Sequence, residues 1–319
     1  MATESHLAHA RYGKDKIRVF RIVREGKWHH VVEYNVCALL EGNIDISYTQ
    51  ADNSVVVATD SIKNITYYLA KTSPHILHPE RFALHLGSFL VNKYAHIHKA
   101  FVTIEKLRWK RIEVEDGKEH PHSFYRDGDD VRITKVEIDG TQGKDKLIAK
   151  VSAGIQGLLV LKSTGSAFES FVRDEFTTLT EVSDRIFSTS IDLTYTYAPF
   201  PIVITQGNDG VVAPAQEKFA GKGSAWDGES VAEDARKVTL ETFAVDESAS
   251  VQATLYKMAQ KIIAQQPFVN DVEYALPNKH YVPVDLKYLG LENIKPLSTF
   301  PFSPPCISFH ISCHFGLSL

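Results

Sequence analysis

The chain is poor in several things, and each shortage excludes a class of protein. It has 3 cysteines in 319 residues, Cys37, Cys306 and Cys313, too few for a disulfide framework and in keeping with a reducing compartment. No apolar run reaches the ~18–20 residues that a membrane span needs. Met1-Ala2-Thr3-Glu4-Ser5-His6 has no basic stretch leading into an apolar one, so no secretory signal is expected. Positive charge is not in excess: 35 Lys and Arg against 39 Asp and Glu leave a net charge of −4. That argues against nucleic-acid binding through phosphate neutralisation. There is no Cys-x-x-Cys, no His-Glu-x-x-His, no Gly-x-Ser-x-Gly elbow, and no Gly-x-Gly-x-x-Gly after a strand. Gly221-Lys222-Gly223-Ser224 resembles part of a phosphate loop, but the earlier glycine and the following hydroxyl are misplaced. No nucleotide cofactor is therefore expected.

What remains is an ordinary globular composition, 44% hydrophobic and 23% charged. At roughly 100–200 residues per domain the length suggests two domains. The 14 His raise the question of a metal. His96 and His98 would share one strand face, as would His120 and His122, but a site needs three or four ligands. Cys306, His310, Cys313 and His314 cluster in the tail without a motif spacing. No metal is expected.

Periodicity supplies the architecture. Residues 31–42 alternate as a strand. Thr59-Asp60-Ser61 offers cap residues ahead of Ile62, Ile65 and Leu69, and Pro79 opens a second helix striped by Phe82, Leu86, Phe89 and Leu90. Strands follow at 98–112 and 122–138 around a turn at Glu115-Asp116-Gly117-Lys118. The second half repeats the order. A strand covers 148–162 with a turn at 152–157, and a short helical stretch runs from Phe168 to Phe176. A clear strand spans 187–197, then a loop at 200–224, helices at 229–244 and from about Ser248–Ser250, and a strand pair at 271–286. Strands, two helices, strands in each half predict antiparallel sheets with helices on one face, not a βαβ chain.

Taken singly, the polar candidates are unremarkable. Two helix starts, at Thr59-Asp60 and at Val251-Gln252, present backbone N–H groups that attract anions and ring acceptors, or are simply capped. Arg185 reads as a surface charge, Phe168 as core, Lys14 as a solvated charge and His280 as a loop histidine.

Together, however, the segments resemble urate oxidase (uricase) from about residue 11 to 292. The resemblance is carried by Arg11-Tyr12-Gly13-Lys14-Asp15, Val57-Ala58-Thr59-Asp60-Ser61-Ile62-Lys63-Asn64, His120-Pro121-His122-Ser123-Phe124, Ser248-Ala249-Ser250-Val251-Gln252-Ala253-Thr254 and Leu276-Pro277-Asn278-Lys279-His280-Tyr281. Its most specific block holds Lys162-Ser163-Thr164, Ser166, Phe168, Phe171, Phe176, Leu179 and Arg185.

The resemblance implies an α+β fold of two tandem tunnelling-fold (T-fold) domains, 11–146 and 147–295, followed by a divergent tail, 296–319. Each domain would be an antiparallel four-stranded sheet with two helices on one face. Copies would assemble into a barrel around a central tunnel, as a homotetramer with active sites at subunit interfaces. The implied reaction is oxidation of urate by O₂ and water to 5-hydroxyisourate and hydrogen peroxide, with no metal or organic cofactor. The implied substrate contacts are Arg185, Phe168, Gln252 and the Val251 N–H, with Thr59 and Asp60 from the neighbouring subunit. Lys14 and the Thr59 hydroxyl would relay a proton with His280, while Thr59 and Asn278 hold O₂ and then water. Nucleic acid and membrane are not expected partners. The family location is the peroxisome, although Leu317-Ser318-Leu319 departs from the usual address and leaves the cytoplasm open. Ile307, Phe309 and Ile311 alternate, so the tail could supply a substitute strand or could fray. Two other functions stay open: a non-catalytic purine-binding protein of the same fold, and a metal-dependent purine or pterin enzyme.

Overall fold

A computed structural model describes residues 5–206, 212–215, 227–291, 299–302 and 308–314. The elements run in the order β1 (Tyr12–Glu25), β2 (Trp28–Gly42), α1 (Asp45–Thr49), α2 (Thr59–Thr72), α3 (Pro79–Lys93), β3 (Ile97–Val114), β4 (Lys118–Asp139) and β5 (Leu147–Lys162). Then come β6 (Phe187–Tyr197), β7 (Phe200–Gln206), β8 (Val212–Ala215), α4 (Gly228–Val245), α5 (Val251–Gln265), β9 (Val269–Pro283), β10 (Thr299–Phe302) and β11 (Ser308–His314). The chain divides into two compact units, Met1–Ala153 with Thr196–Ser230, and Gly154–Tyr195 with Val231–Leu319.

In the first unit β1 to β4 form an antiparallel meander. Alternation decides which face is buried. Tyr34, Val36, Ala38 and Leu40 of β2 are wholly buried, as are Ala100 and Ile104 of β3 and Ile138 of β4. α3 packs on β3 and β4, and α2 packs on β1. Tyr34 stacks on Phe82 at 6.1 Å and donates its hydroxyl to the Ile76 carbonyl at 2.6 Å. α3 is buried well beyond its expected stripe, with Ala83, Leu84, His85 and Ser88 also enclosed, while Phe89 is only half-buried.

A buried ionic cluster closes this unit. Arg132 of β4 donates to both oxygens of Glu80 at 2.7 and 2.8 Å, to Glu229, and to the Gly228 carbonyl at 3.0 Å. Lys106 reaches Glu229 at 2.9 Å and the Thr134 hydroxyl reaches Glu80 at 3.2 Å. Glu80 sits in the first turn of α3, where an anion also suits the helix dipole.

In the second unit the later part of β5 pairs with β6, β6 with β9, and β9 with β10 and β11. α5 packs on β9 and β11. Tyr274 is fully buried and its hydroxyl meets that of Thr239 at 2.6 Å. Phe187 packs on Phe243 at 5.7 Å.

The α+β antiparallel fold is the expected one, but several local expectations fail. β1 is not among the expected elements: Arg18, Arg21 and Arg24 break up its β-branched residues, and of its side chains only Ile17 and Val19 are buried. The turn expected at 152–157 is absent, and β5 runs through. Gly154 is there because a Cβ would lie 1.8 Å from the Leu193 carbonyl oxygen, so it marks a close approach of β6 and not a turn. Phe168 to Phe176 is not helical; it is irregular, with Phe168 bridged to Val182, Ser170 at φ +58° and a turn at Glu175–Phe176. The expected loop at 200–224 contains β7 and β8, which pair with one another. Gly221-Lys222-Gly223-Ser224 lies outside the described residues. The strand pair expected at 271–286 is a single strand, paired with β6 and with β10 and β11 from the tail. β11 includes Phe309 and Ile311 and pairs with β9 from Asp271 to Pro277, the substitute strand that the alternation suggested. The side chains of the Cys306–His314 cluster and the last residues 315–319 lie outside the described set.

Candidate active site

Lys14, Thr59 and Asp60 belong to the first unit. Phe168, Arg185, Val251, Gln252, Asn278 and His280 belong to the second.

In the first unit β1 and the start of α2 are drawn together by Tyr12. Its hydroxyl accepts from the Val57 N–H at 2.6 Å. Tyr12 and Lys14 alternate on one face of β1, and Val57 lies two residues before Thr59. A register shift after Lys14 releases the strand from strict pairing. Lys14 and Thr59 are both exposed and are not hydrogen-bonded to each other. α2 begins at Thr59, one residue earlier than its cap residues suggest, with Ala58 at the cap and no side-chain capping bond. Its first-turn N–H groups therefore have no partner within the helix. Asp60 is held below the usual carboxylate range, first by the hydrogen bond and charge of Lys63, then by Asn64 and the charge of Lys14. Burial raises the Tyr12 phenol, although the Val57 N–H works against it.

The second unit brings Phe168 and Arg185 together. The guanidinium carbon lies 5.1 Å from the Phe168 ring centre, and Phe168 stacks on Phe171 at 4.8 Å, nearly parallel. Arg185 is half-buried, no carboxylate among the described residues pairs with it, and its Nε is buried without a hydrogen bond. Burial lowers its pKa from the ordinary value. A desolvated, unpaired guanidinium beside an aromatic ring is suited to a flat anion.

The backbone around this pair is pinned. Phe168 and Val182 exchange N–H to carbonyl bonds at 2.8 and 3.0 Å, and the Arg185 N–H donates to the Ser166 carbonyl at 2.9 Å. Gly165, at φ +77°, occupies a left-handed conformation that other residues adopt at a cost. The Asp184 carboxylate accepts from the Gly165 N–H at 2.8 Å and the Thr164 hydroxyl at 2.7 Å.

Val251 is the first residue of α5, which has no side-chain cap, and Gln252 is exposed and accepts from the Ser250 hydroxyl at 2.9 Å. The lead-in to α5 is held by Asp246, whose carboxylate receives Thr254 and Lys257. Burial would raise the Asp246 pKa, but those hydrogen bonds and the charges of Lys257 and Lys162 lower it. Asn278 and His280 are half-buried on β9, anchored just upstream by the Thr189 hydroxyl on the Pro277 carbonyl at 3.0 Å. Among the described residues, no hydrogen bond or ring contact joins either of them to Phe168 or Arg185. Tyr12 and Asp184 were not singled out in the sequence, though each lies within two residues of a named site residue.

Among the described residues no group of three or more His, Cys, Asp or Glu could hold a metal ion. His98 is engaged with Asn43 at 3.2 Å, and His120 and His122 pack edge to face at 4.5 Å. No described helix is long and apolar enough to cross a membrane.

Fold and site define a tunnelling-fold α+β protein with polar groups suited to a flat anionic ring. The uricase family profile matches residues 10–137 and 151–304. The chain is 47% identical to a uricase from Emericella nidulans over 292 residues, 91% of this chain and 90% of that one. It is also 47% identical to a uricase from Aspergillus flavus over 287 residues, 89% and 88% of the two chains. The crystal structure of uricase from Arthrobacter globiformis superposes with a TM-score of 0.82 at 29% identity, covering 99% of this chain and 97% of that one. The chain belongs to the uricase family.

Proposed function

We propose that this chain oxidises urate with O₂ and water to 5-hydroxyisourate and hydrogen peroxide. The observation that carries this reading is the half-buried Arg185 guanidinium, without a carboxylate partner among the described residues and 5.1 Å from the Phe168 ring. Phe168 takes the purine face, and Arg185 takes the carbonyl and anionic nitrogen edge through paired N–H donors. Gln252 and the Val251 N–H address the remaining polar edge at the start of α5.

Lys14, Thr59 and Asp60 act as the complementary half-site, supplied to this one by a second copy within a homotetramer whose sheets close into a barrel. Electron transfer to O₂ requires an electron-rich urate dianion. Lys14 takes the proton through the Thr59 hydroxyl, and His280 completes the path. Asn278 and Thr59 hold O₂, then water, above the ring. The reaction runs without metal or organic cofactor. The tandem domains, 11–146 and 147–295, supply one half-site each. The location proposed is the peroxisome, with the cytoplasm as the alternative because Leu317-Ser318-Leu319 departs from the usual address.

Loss of urate absorbance in air, with and without chelator, tests the reading. Activity that survives chelation supports it. Binding without turnover supports a purine-binding protein instead, and chelator sensitivity supports a metal enzyme. Lys14→Met retaining near-normal activity at neutral pH would overturn the assigned base.

A further inference from the structure

We propose that Asp184 is a positioning residue that sets Arg185 and Phe168 relative to the start of α5. The inference rests on the urate reading given above. Residues 163–186 contain no helix and no strand, yet they must hold a ring and a guanidinium at a defined separation. The bonds that shape this segment converge on one glycine. The Gly165 N–H donates to Asp184 at 2.8 Å, and the Gly165 carbonyl accepts from the Ser248 N–H at 3.1 Å. Ser248 in turn accepts from the Ala167 N–H at 2.9 Å and lies three residues before Val251. The second Asp184 oxygen takes the Thr164 hydroxyl at 2.7 Å, so both oxygens grip the same short turn.

Asp184 is followed directly by Arg185, whose own N–H is bonded to the Ser166 carbonyl. The carboxylate thus holds the Thr164–Gly165 turn, and the backbone bonds of that turn and its neighbours reach the Arg185 N–H at Ser166 and the lead-in to α5 at Ser248. Bonds to an ionised acceptor are the stronger kind. Asp184 acts through Gly165 and Arg185 and does not itself meet the ring. Losing it lets the turn relax and loosens Arg185 and Phe168 from the lead-in to α5, weakening purine binding more than the proton relay on the other half-site.

The test compares the native enzyme with Asp184→Ala, Asp184→Asn and Thr164→Ala. Steady-state turnover of urate in air is read beside calorimetric binding of urate under anaerobic conditions. Asp184→Ala is expected to raise KM and the dissociation constant about tenfold or more, with kcat within about threefold. Asp184→Asn keeps an oxygen for the Gly165 N–H and is expected to recover most of that loss. Thr164→Ala, which removes one bond only, falls between native and Asp184→Ala and carries the test if Asp184→Ala does not fold. Unchanged KM and binding in Asp184→Ala, or in Thr164→Ala where it stands in, would overturn the proposal. So would a fall in kcat at unchanged KM, or no recovery in Asp184→Asn. Absence of turnover in the native chain counts against the urate oxidase reading alone, because the anaerobic binding comparison still decides the role of Asp184.

Discussion

The Tyr12 hydroxyl accepts a hydrogen bond from the Val57 N–H at 2.6 Å, joining the strand that carries Lys14 to the approach of the helix that begins at Thr59. Tyr12→Phe keeps the ring and removes the acceptor, leaving a buried-side backbone donor unmet. The expected cost is about 1–3 kcal/mol of stability, read by urea unfolding. Urate turnover is expected to fall more than urate binding, because the bond spans the half-site assigned to proton transfer. Wild-type kcat in Tyr12→Phe would show that the tether is dispensable.

Arg132 neutralises Glu80 and Glu229 together, and Glu80 is 1% exposed. Arg132→Met leaves a buried carboxylate without its partner and is expected to cost about 3–5 kcal/mol, more than any surface ion pair. Denaturant unfolding of the purified variant measures this, and a loss below about 1 kcal/mol would argue that the cluster relaxes into solvent.

The same cluster sets a pH dependence. Burial alone would raise Glu229, but the charges and hydrogen bonds of Lys106 and Arg132 hold it below its ordinary 4.5. Its folded pKa is depressed, so its contribution is present above the ordinary value and is lost as pH falls through the lower folded value. Stability should therefore decline below pH 4.5, and Glu229→Gln should flatten that decline. Thermal unfolding across an acid series, native against variant, reads the difference.

At Gly154 a Cβ would lie 1.8 Å from the Leu193 oxygen, which is backbone and cannot swing aside. Gly154→Ala must push β6 from β5 and is expected to cost about 1–3 kcal/mol or prevent folding. A variant with the native melting temperature would contradict that close approach.

β9 has backbone partners from the tail along Asp271–Pro277 and again at His280–Pro283. Deleting residues 299–319 should strip protection from those β9 amides in hydrogen exchange and favour aggregation through the bared edge. Unchanged exchange along β9 would show that the tail strands contribute little.

Strong local periodicity was legible without a structure. β6 matches its alternation from Phe187 to Tyr197, α3 starts at Pro79, and the two helix starts at Thr59 and Val251 are where the chain places them. Segments held by distant partners were not legible. β1 hides behind its arginines, the stretch from Gly165 to Phe168 is held by Ser248 and Val182 instead of opening a helix, and Gly154 marks strand approach instead of a turn.

The sequence by itself determined the fold class and the family and offered the candidate site residues, because alternation, capping and motif blocks are local and additive. Only the tertiary structure decided which of those residues meet. Phe168 and Arg185, 17 positions apart, come within 5.1 Å through Gly165, Ser166, Val182 and Asp184. That convergence depends on backbone bonds between separated segments, which leave no periodic trace in the chain.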